Sequence, residues 1–285
     1  MKFLKKLLII LLVIVILAGA AVAGGYFFVK KKYGIDLIKT AKELKTLQEP
    51  VDKSVLCPNA YTDEDMVDVQ QIVNESVADF VTHTQENGYE INLDGLPEDM
   101  KSIIKLTDRQ VGALAQEVLE QEIGGKVAFG GKNVDVVIEQ IAFLDVGVSK
   151  TLLNTVLSVD MTPFKAELSK FPLSLLKKFV PDTLYVSSTV SVGKGGEAFS
   201  YTVEHDMLTI NNLDEEETED LFHTLEIVFS AGSAESWNVE LGTVITDALI
   251  GNEQKQGFAY ALKDNGASDY AFSYEDGVAY FSVLR

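Results

Sequence analysis

The chain has 285 residues and a formal net charge of −19 at pH 7, from 24 lysine and arginine residues against 43 aspartate and glutamate residues. All 43 acids and 18 of the basic residues follow residue 32, so residues 33–285 carry a charge of −25. This charge excludes nucleic acid as a partner, because phosphate contacts need a basic surface, and it predicts repulsion from anionic lipid except at a local basic patch. The one cysteine, Cys57, excludes an intramolecular disulfide and a multi-cysteine metal site.

The first predicted element is a membrane anchor over residues 1–32. Residues 7–29 contain no charged side chain, and a helix of that length is about 34 Å long, enough to cross the hydrocarbon core of a bilayer. Three lysines lie on each side of this run, and burial of either group in lipid would be costly. The aromatic side chains at residues 26–28 suit the membrane interface.

A cleaved signal peptide is the alternative interpretation of the same residues. Residues 21–23 (Ala-Val-Ala) match the small-residue pattern of a cleavage site. Residues 26–29, however, continue the apolar run beyond that site, and the lysines that follow resemble a stop signal. Both interpretations place the main domain outside the cytoplasm. We therefore expect a single-pass protein of the cell membrane, with the bilayer as a partner through its N-terminal helix.

After the anchor, residues 33–62 are typical of a juxtamembrane connector. Apolar residues between Ile35 and Leu47 have helical spacing, and Pro50 interrupts the pattern. Residues 63–285 show no internal repeat and no low-complexity linker. They are predicted to form one extracytoplasmic domain, with two tightly joined domains as the alternative.

Two capping boxes predict the first helices of this domain. Residues 62–65 (Thr-Asp-Glu-Asp) precede apolar residues at helical spacing and predict an amphipathic helix over about 63–86. Residues 107–110 (Thr-Asp-Arg-Gln) repeat the signal, and a second helix with a clear apolar face is expected after them.

The apolar period then changes from helical to two. Apolar and polar residues begin to alternate near residue 133. They alternate regularly over residues 184–192, as in a half-buried strand. Residues 193–196 (Gly-Lys-Gly-Gly) predict a turn, and Phe199, Tyr201 and Val203 predict the returning strand of a hairpin.

The last part of the chain returns to helices and ends in strands. Asp214 is expected to open a helix that runs to about 229, and Ser236 to cap a helix over 237–250. Asn265-Gly266 and Asp276-Gly277 are predicted turns between antiparallel strands. Because helices and strands come in blocks, without βαβ alternation, we predict an α+β fold with a mostly antiparallel sheet.

The histidines do not predict a metal site. His83, His205 and His223 are too far apart for a recognisable ligand spacing. His205 continues the parity of Tyr201 and Val203, which favours a packed or rim histidine over a ligand.

The other candidate motifs also favour structural interpretations. The acids at residues 214–217 lack the alternating oxygen ligands of a calcium loop and suit the first turn of a helix. Residues 193–196 lack the Lys-Ser/Thr of a phosphate loop, and the chain has no Gly-x-Ser-x-Gly elbow. We therefore predict that the protein is not an enzyme, and we expect no cofactor, metal or catalytic residue.

One segment differs from its acidic surroundings. Within residues 162–180, four lysines stand against the single acid Glu167, and apolar residues lie between them. Thr162-Pro163 suits a helix start, and Pro172 must interrupt the helix. Such a segment could contact a membrane surface or an apolar ligand; the alternative is a pair of short helices packed on the sheet with the lysines in water. The candidate residues are Phe164, Lys165, Leu168, Lys170, Phe171, Leu175, Leu176, Lys177, Lys178 and Phe179.

Residues 107–213 resemble the extracytoplasmic part of YpmS-like proteins of Gram-positive bacteria and, more distantly, the tubular lipid-binding (TULIP) superfamily. The resemblance is carried by the helix opening at 106–111, the strand at 157–160, the segment 180–186 and the hairpin ending at 208–211. It implies a long helix cradled by a strongly curved antiparallel sheet, with an apolar space that can hold lipid tails. Residues 214–285 look like an addition to this region.

The expected function is that of a membrane-tethered, non-enzymatic protein of the cell envelope that binds or shields a lipid or other amphiphile. The alternative is a structural or interaction module that positions an envelope protein and holds no small ligand. Its motivation is the acidic surface and the unexplained C-terminal third of the chain.

Overall fold

A computed structural model describes residues 36–77, 81–84, 88–91, 104–123, 126–129, 132–146, 150–167, 180–229, 232–249, 263 and 267–284. The predicted anchor at residues 1–32 lies outside these residues. Within the described parts of the chain, no helix has the length and apolar character needed to cross a membrane.

The first and third helices begin close to where the sequence predicts them, whereas the sequence does not predict the short second helix. These helices are α1 (Leu37–Thr46), the short α2 (Lys53–Leu56) and α3 (Asp63–Val77). The predicted capping box of α3 is confirmed, because the Thr62 amide donates to Asp65 Oδ2 at 2.7 Å and the Asp65 amide donates to Thr62 Oγ1 at 3.4 Å.

The prediction that α3 continues to residue 86 is wrong. Strand β1 (Val81–Thr84) lies there instead and pairs antiparallel with β2 (Gly88–Ile91). Three of the four residues of β1 are β-branched, and such side chains favour strands over helices because their χ1 angles are restricted in a helix. The local composition therefore outweighs the apolar spacing that suggested a longer helix.

A five-stranded antiparallel sheet forms the centre of the fold. The next elements along the chain are β3 (Ile104–Thr107), α4 (Asp108–Ile123), β4 (Lys126–Phe129), β5 (Lys132–Val146), β6 (Lys150–Asp160), α5 (Thr162–Glu167), β7 (Thr183–Lys194) and β8 (Tyr201–Ile210). The strand order of the central sheet is β4-β5-β6-β7-β8. The capping box of α4 is confirmed, because the Thr107 amide donates to Gln110 Oε1 at 2.9 Å.

The middle of this sheet is covered on both faces. The sequence predicts β7 as a half-buried strand, but Ser187, Ser188 and Thr189 are all buried. These three consecutive hydroxyl residues lie between Val186 and Val190, and they tolerate burial because they find hydrogen-bond partners. Helix α4 covers β5, and helices of the last third cover β7 and β8.

Residues after 214 complete the same core and are not an addition to it. They form α6 (Glu215–Phe229), α7 (Ala234–Leu249), β9 (Asp269–Glu275) and β10 (Val278–Leu284). The core includes Phe222 of α6, Trp237 of α7 and Ala279 of β10. Strand β10 lies between β3 and β9 in a three-stranded antiparallel sheet.

Four predictions about turns and element boundaries have different outcomes. The Asp276-Gly277 turn is confirmed, with φ angles of 52° and 80°, whereas Asn265-Gly266 lies outside the described residues. The cap of α7 is Ser233 and not Ser236, because the Ser236 amide donates to Ser233 Oγ at 3.2 Å. Phe199 lies before β8, in the turn, with a φ of 56°.

Candidate functional site

The basic segment predicted from the sequence starts and ends at one end of the β6–β7 hairpin. The last strand pair joins Asp160 to Thr183. Beyond it, the Met161 amide donates to the Asp182 carbonyl at 2.8 Å, and Met161 and Val180 are buried. Residues 162–180 therefore leave and rejoin the sheet at a closed base.

The structure describes only two of the ten candidate residues, Phe164 and Lys165, and both lie in α5. Lys165 Nζ donates to Asp182 Oδ1 at 2.6 Å, so this lysine closes the base of the segment. An amine held in such a pair is less available to a membrane surface than the sequence suggests. The other eight lie outside the described residues: Leu168, Lys170, Phe171, Leu175, Leu176, Lys177, Lys178 and Phe179.

A second group of polar side chains lies where α7 packs on β7 and β8. At its centre is Asn238, which is fully buried. Its amide nitrogen donates to the Thr189 carbonyl at 2.7 Å and lies 2.7 Å from His205 Nδ1, and its carbonyl oxygen accepts from the Ser188 hydroxyl. The close approach of α7 is possible because Gly242 has no side chain: a Cβ there would lie 2.7 Å from two carbons of Val190.

These contacts fix the tautomer of His205. The Thr189 carbonyl only accepts hydrogen bonds, so the nitrogen of the Asn238 amide must face it. The same nitrogen faces His205 Nδ1, which therefore accepts. In a neutral imidazole the other nitrogen then carries the hydrogen, so His205 presents an Nε2–H donor on the side away from Asn238.

Glu215 and Glu219, one turn apart on α6, approach the same histidine. One ligand atom from each of the three side chains lies within 4.8 Å of the others, and this is the group among the described residues that could hold a metal ion. Two features disfavour a cation there. Metal-bound histidines normally donate from their second nitrogen, whereas Nδ1 of His205 accepts, and the first turn of a helix has a partial positive charge. The geometry instead suits an Nε2–H donor beside the two carboxylates.

The position of His205 was predictable, but its partner was not. The histidine shares the covered face with Tyr201 and Val203, as the alternation predicts, and it is half-buried. Asn238 is a polar residue beside the apolar Trp237 and Leu241 on the buried face of α7. That exception to the pattern is the signal that could have identified it.

The opposite face of the sheet has its own buried polar network. Gln140 Nε2 donates to Asn154 Oδ1 at 3.0 Å, and Asn154 Nδ2 donates to Ser187 Oγ and Thr189 Oγ1, each at 3.1 Å. Gln140 Oε1 accepts from the Asn59 amide at 2.7 Å. Each amide thus has partners on both of its ends, and the network joins the segment before α3 to the sheet. This arrangement is structural and leaves no open polar group for a ligand.

Comparisons with known proteins identify no family. No family model matches the chain, and no curated protein matches it. The resemblance to YpmS-like proteins is therefore not supported. A crystal structure of a lipopolysaccharide binding protein is similar at 11% identity with a TM-score of 0.25, over 67% of this chain and 44% of that protein. This chain thus spans less than half of that structure, and a similarity of this size establishes neither a shared fold nor a shared ligand.

Proposed function

We propose that the chain is a membrane-tethered, non-enzymatic protein of the cell envelope that binds or shields a lipid or other amphiphile through residues 162–180. The observation that carries the proposal is the local reversal of charge. Residues 162–180 contain four lysines and one acid, in a chain where residues 33–285 carry a charge of −25. Apolar side chains between the lysines would enter the acyl boundary while the amines contact headgroups.

The closed base of the segment supports this proposal. Because the Met161 amide donates to the Asp182 carbonyl, the segment starts and ends together at one end of the β6–β7 hairpin. A segment at the end of a hairpin is well placed to meet a surface that repels the acidic remainder of the domain. At physiological ionic strength, the repulsion between the acidic domain and anionic lipid is screened beyond about 8 Å. Whether this part of the domain binds lipid would therefore depend on the local basic patch.

The predicted anchor would keep the domain near the bilayer. Helix α1 begins at Leu37, five residues after the last lysine of the predicted anchor. Five extended residues span at most about 18 Å. The domain would therefore remain close to the membrane surface throughout its motion, and weak lipid contacts would gain from the high effective concentration.

Native mass spectrometry with lipid extraction, on residues 33–285 purified without detergent, tests this function. A bound amphiphile is the expected result. In flotation with vesicles of mixed anionic and zwitterionic lipid, the Lys177→Glu/Lys178→Glu variant should bind at least tenfold more weakly. Lys45→Glu/Lys126→Glu is the matched control, since it changes the net charge equally at two exposed lysines.

A protein that carries no amphiphile and does not bind vesicles would contradict the proposal. Equal losses in the two double variants would also contradict it, because they would show that net charge alone controls binding. In either case the interaction-module alternative becomes the better hypothesis, and cross-linking in cells should then capture an envelope protein.

A further inference from the structure

A buried acid lies in the interface between α1 and α6. Glu43 of α1 is 1% exposed, and neither of its carboxyl oxygens has a hydrogen-bond partner within the described residues. On α6, against which α1 packs, the buried hydroxyl of Thr218 also has no partner there. An ionised carboxylate without a partner is among the most costly groups to bury, so this interface favours the protonated acid.

Charged groups from both helices surround Glu43. Lys39 and Lys42 lie on its own helix, Asp36 lies just before that helix, and Glu217 faces it from α6. Burial raises the pKa of Glu43 to about 7, against the opposing effect of Lys39 and with a further increase from Glu217. The two lysines do not neutralise the acid, because each also pairs with carboxylates of α6.

These ion pairs lie on the solvent side of the interface. Lys39 pairs with Asp220 and, at 3.6 Å, with Glu216, and Lys42 lies 3.8 Å from Glu217. The side chains of both lysines are more than 40% exposed, so these pairs add little to docking. The protonation state of Glu43 therefore affects the docking of α1 more than these ion pairs do.

The two ends of α1 are held differently. Asn211 Nδ2 donates to the Leu47 carbonyl at 2.7 Å, and Asn212 Nδ2 donates to the Glu49 carbonyl at 2.8 Å. These bonds fix the end of α1 that leads into the domain. The remainder of α1, which leads back toward the predicted anchor, packs on α6, and Glu43 lies in this interface one turn before Leu47.

We propose that a proton on Glu43 controls the docking of α1 on α6, so that α1 is docked when the carboxyl is protonated and is released from α6, as far as its attachment at Leu47, when the carboxyl is ionised. This device is independent of lipid binding by residues 162–180. Its consequence is a pH-dependent link between the anchor and the domain, because release of α1 would lengthen the connection between them.

The sign and size of the effect follow from linkage. The docked acid has a raised pKa of about 7 against 4.5 for the free side chain, so docking is unaffected below about pH 4.5 and weakens as the pH rises toward 7. Above pH 7 the loss is complete. A difference of this size corresponds to about a 300-fold decrease in the docking equilibrium constant between acid and alkaline solution.

Hydrogen exchange of the full chain in detergent, followed by mass spectrometry from pH 5 to pH 8.5, tests the proposal. After correction for the intrinsic pH dependence of exchange, the opening of α1 should increase by about 75-fold between pH 5 and pH 8.5, with most of the change below pH 7. Amides of α4 serve as the internal reference. In Glu43→Gln, which imitates the protonated acid, the opening of α1 should not change with pH.

Glu49→Gln is the matched control, since Glu49 is exposed just after α1 and its backbone carbonyl bond to Asn212 remains. It should keep the pH dependence of the wild type. Should Glu43→Gln fail to fold, Glu43→Met provides a second uncharged variant. An α1 with constant protection across this pH range in the wild type would overturn the proposal, and so would an unchanged pH dependence in the uncharged variants.

Discussion

The substitution Asn238→Ala tests whether the buried amide stabilises the fold. It removes the partners of the Ser188 hydroxyl and the Thr189 carbonyl, whose residues are each 1% exposed. A buried polar group without a partner costs about 1–3 kcal/mol, whereas the half-exposed His205 can bind water instead. The two buried groups together predict a decrease of about 3 kcal/mol in the free energy of unfolding, and the small cavity adds to it.

Urea unfolding of the chain in mild detergent measures this change. The one tryptophan, Trp237, is buried beside Phe222 and reports the transition by fluorescence. With an m value of about 2–3 kcal/mol/M, the midpoint should decrease by about 1 M.

Asn212→Ala is the control for this experiment, because Asn212 is exposed and its amide donates to the Glu49 carbonyl. Water can replace that bond, so the expected loss is below about 1 kcal/mol. The reasoning is refuted if the two variants differ by less than about 0.5 kcal/mol. Such a result would mean that Ser188 and Thr189 find new partners without cost.

Three further predictions concern other parts of the fold. Gly242→Leu should prevent native packing of α7, because even a Cβ at 242 would lie 2.7 Å from Val190, and circular dichroism should show a lower Tm. Burial raises the pKa of Cys57 to about 11, so a maleimide should label this thiol slowly at pH 7.5 and rapidly after unfolding in urea. Burial raises the pKa of Asp269, but the hydrogen bond from Lys194 lowers it, and the pKa lies below its usual value. The pair therefore stabilises the fold at pH values above the unfolded pKa of the acid. This contribution is lost as the pH falls through the lowered pKa. In Lys194→Met, the free energy of unfolding should therefore decrease less as the pH is lowered. The same decrease as in the wild type would contradict this.

Helix starts were predictable because their signals are local. The caps at Thr62, Thr107 and Asp214 each lie within three residues of their partners, so the sequence contains the whole interaction. Ser233 and Ser236 both have a side chain suitable for the cap of α7, so the sequence does not distinguish between them. The apolar spacing of α3 continues through the β-branched run of β1, and spacing alone therefore predicts a helix where the structure has a strand.

The candidate sites were less predictable because they join distant parts of the chain. Asn238 contacts Ser188, 50 residues away, and no local pattern records that pairing. Glu43 lies on an amphipathic helix where an acid is ordinarily solvated, and its burial depends on α6, more than 170 residues later. The basic segment 162–180 was found by composition alone, since a charge reversal needs no knowledge of contacts.

The position of β10 between β3 and β9 has a consequence for the synthesis of the protein. Strand β3 is made roughly 170 residues before β10. At 5–20 residues per second, its backbone donors wait about 9 to 35 s for the neighbour that completes the sheet. During that time the exposed edge of β3 can pair with other chains. A nascent chain of this protein therefore depends on rapid completion, or on a chaperone that covers this edge until the last strand emerges.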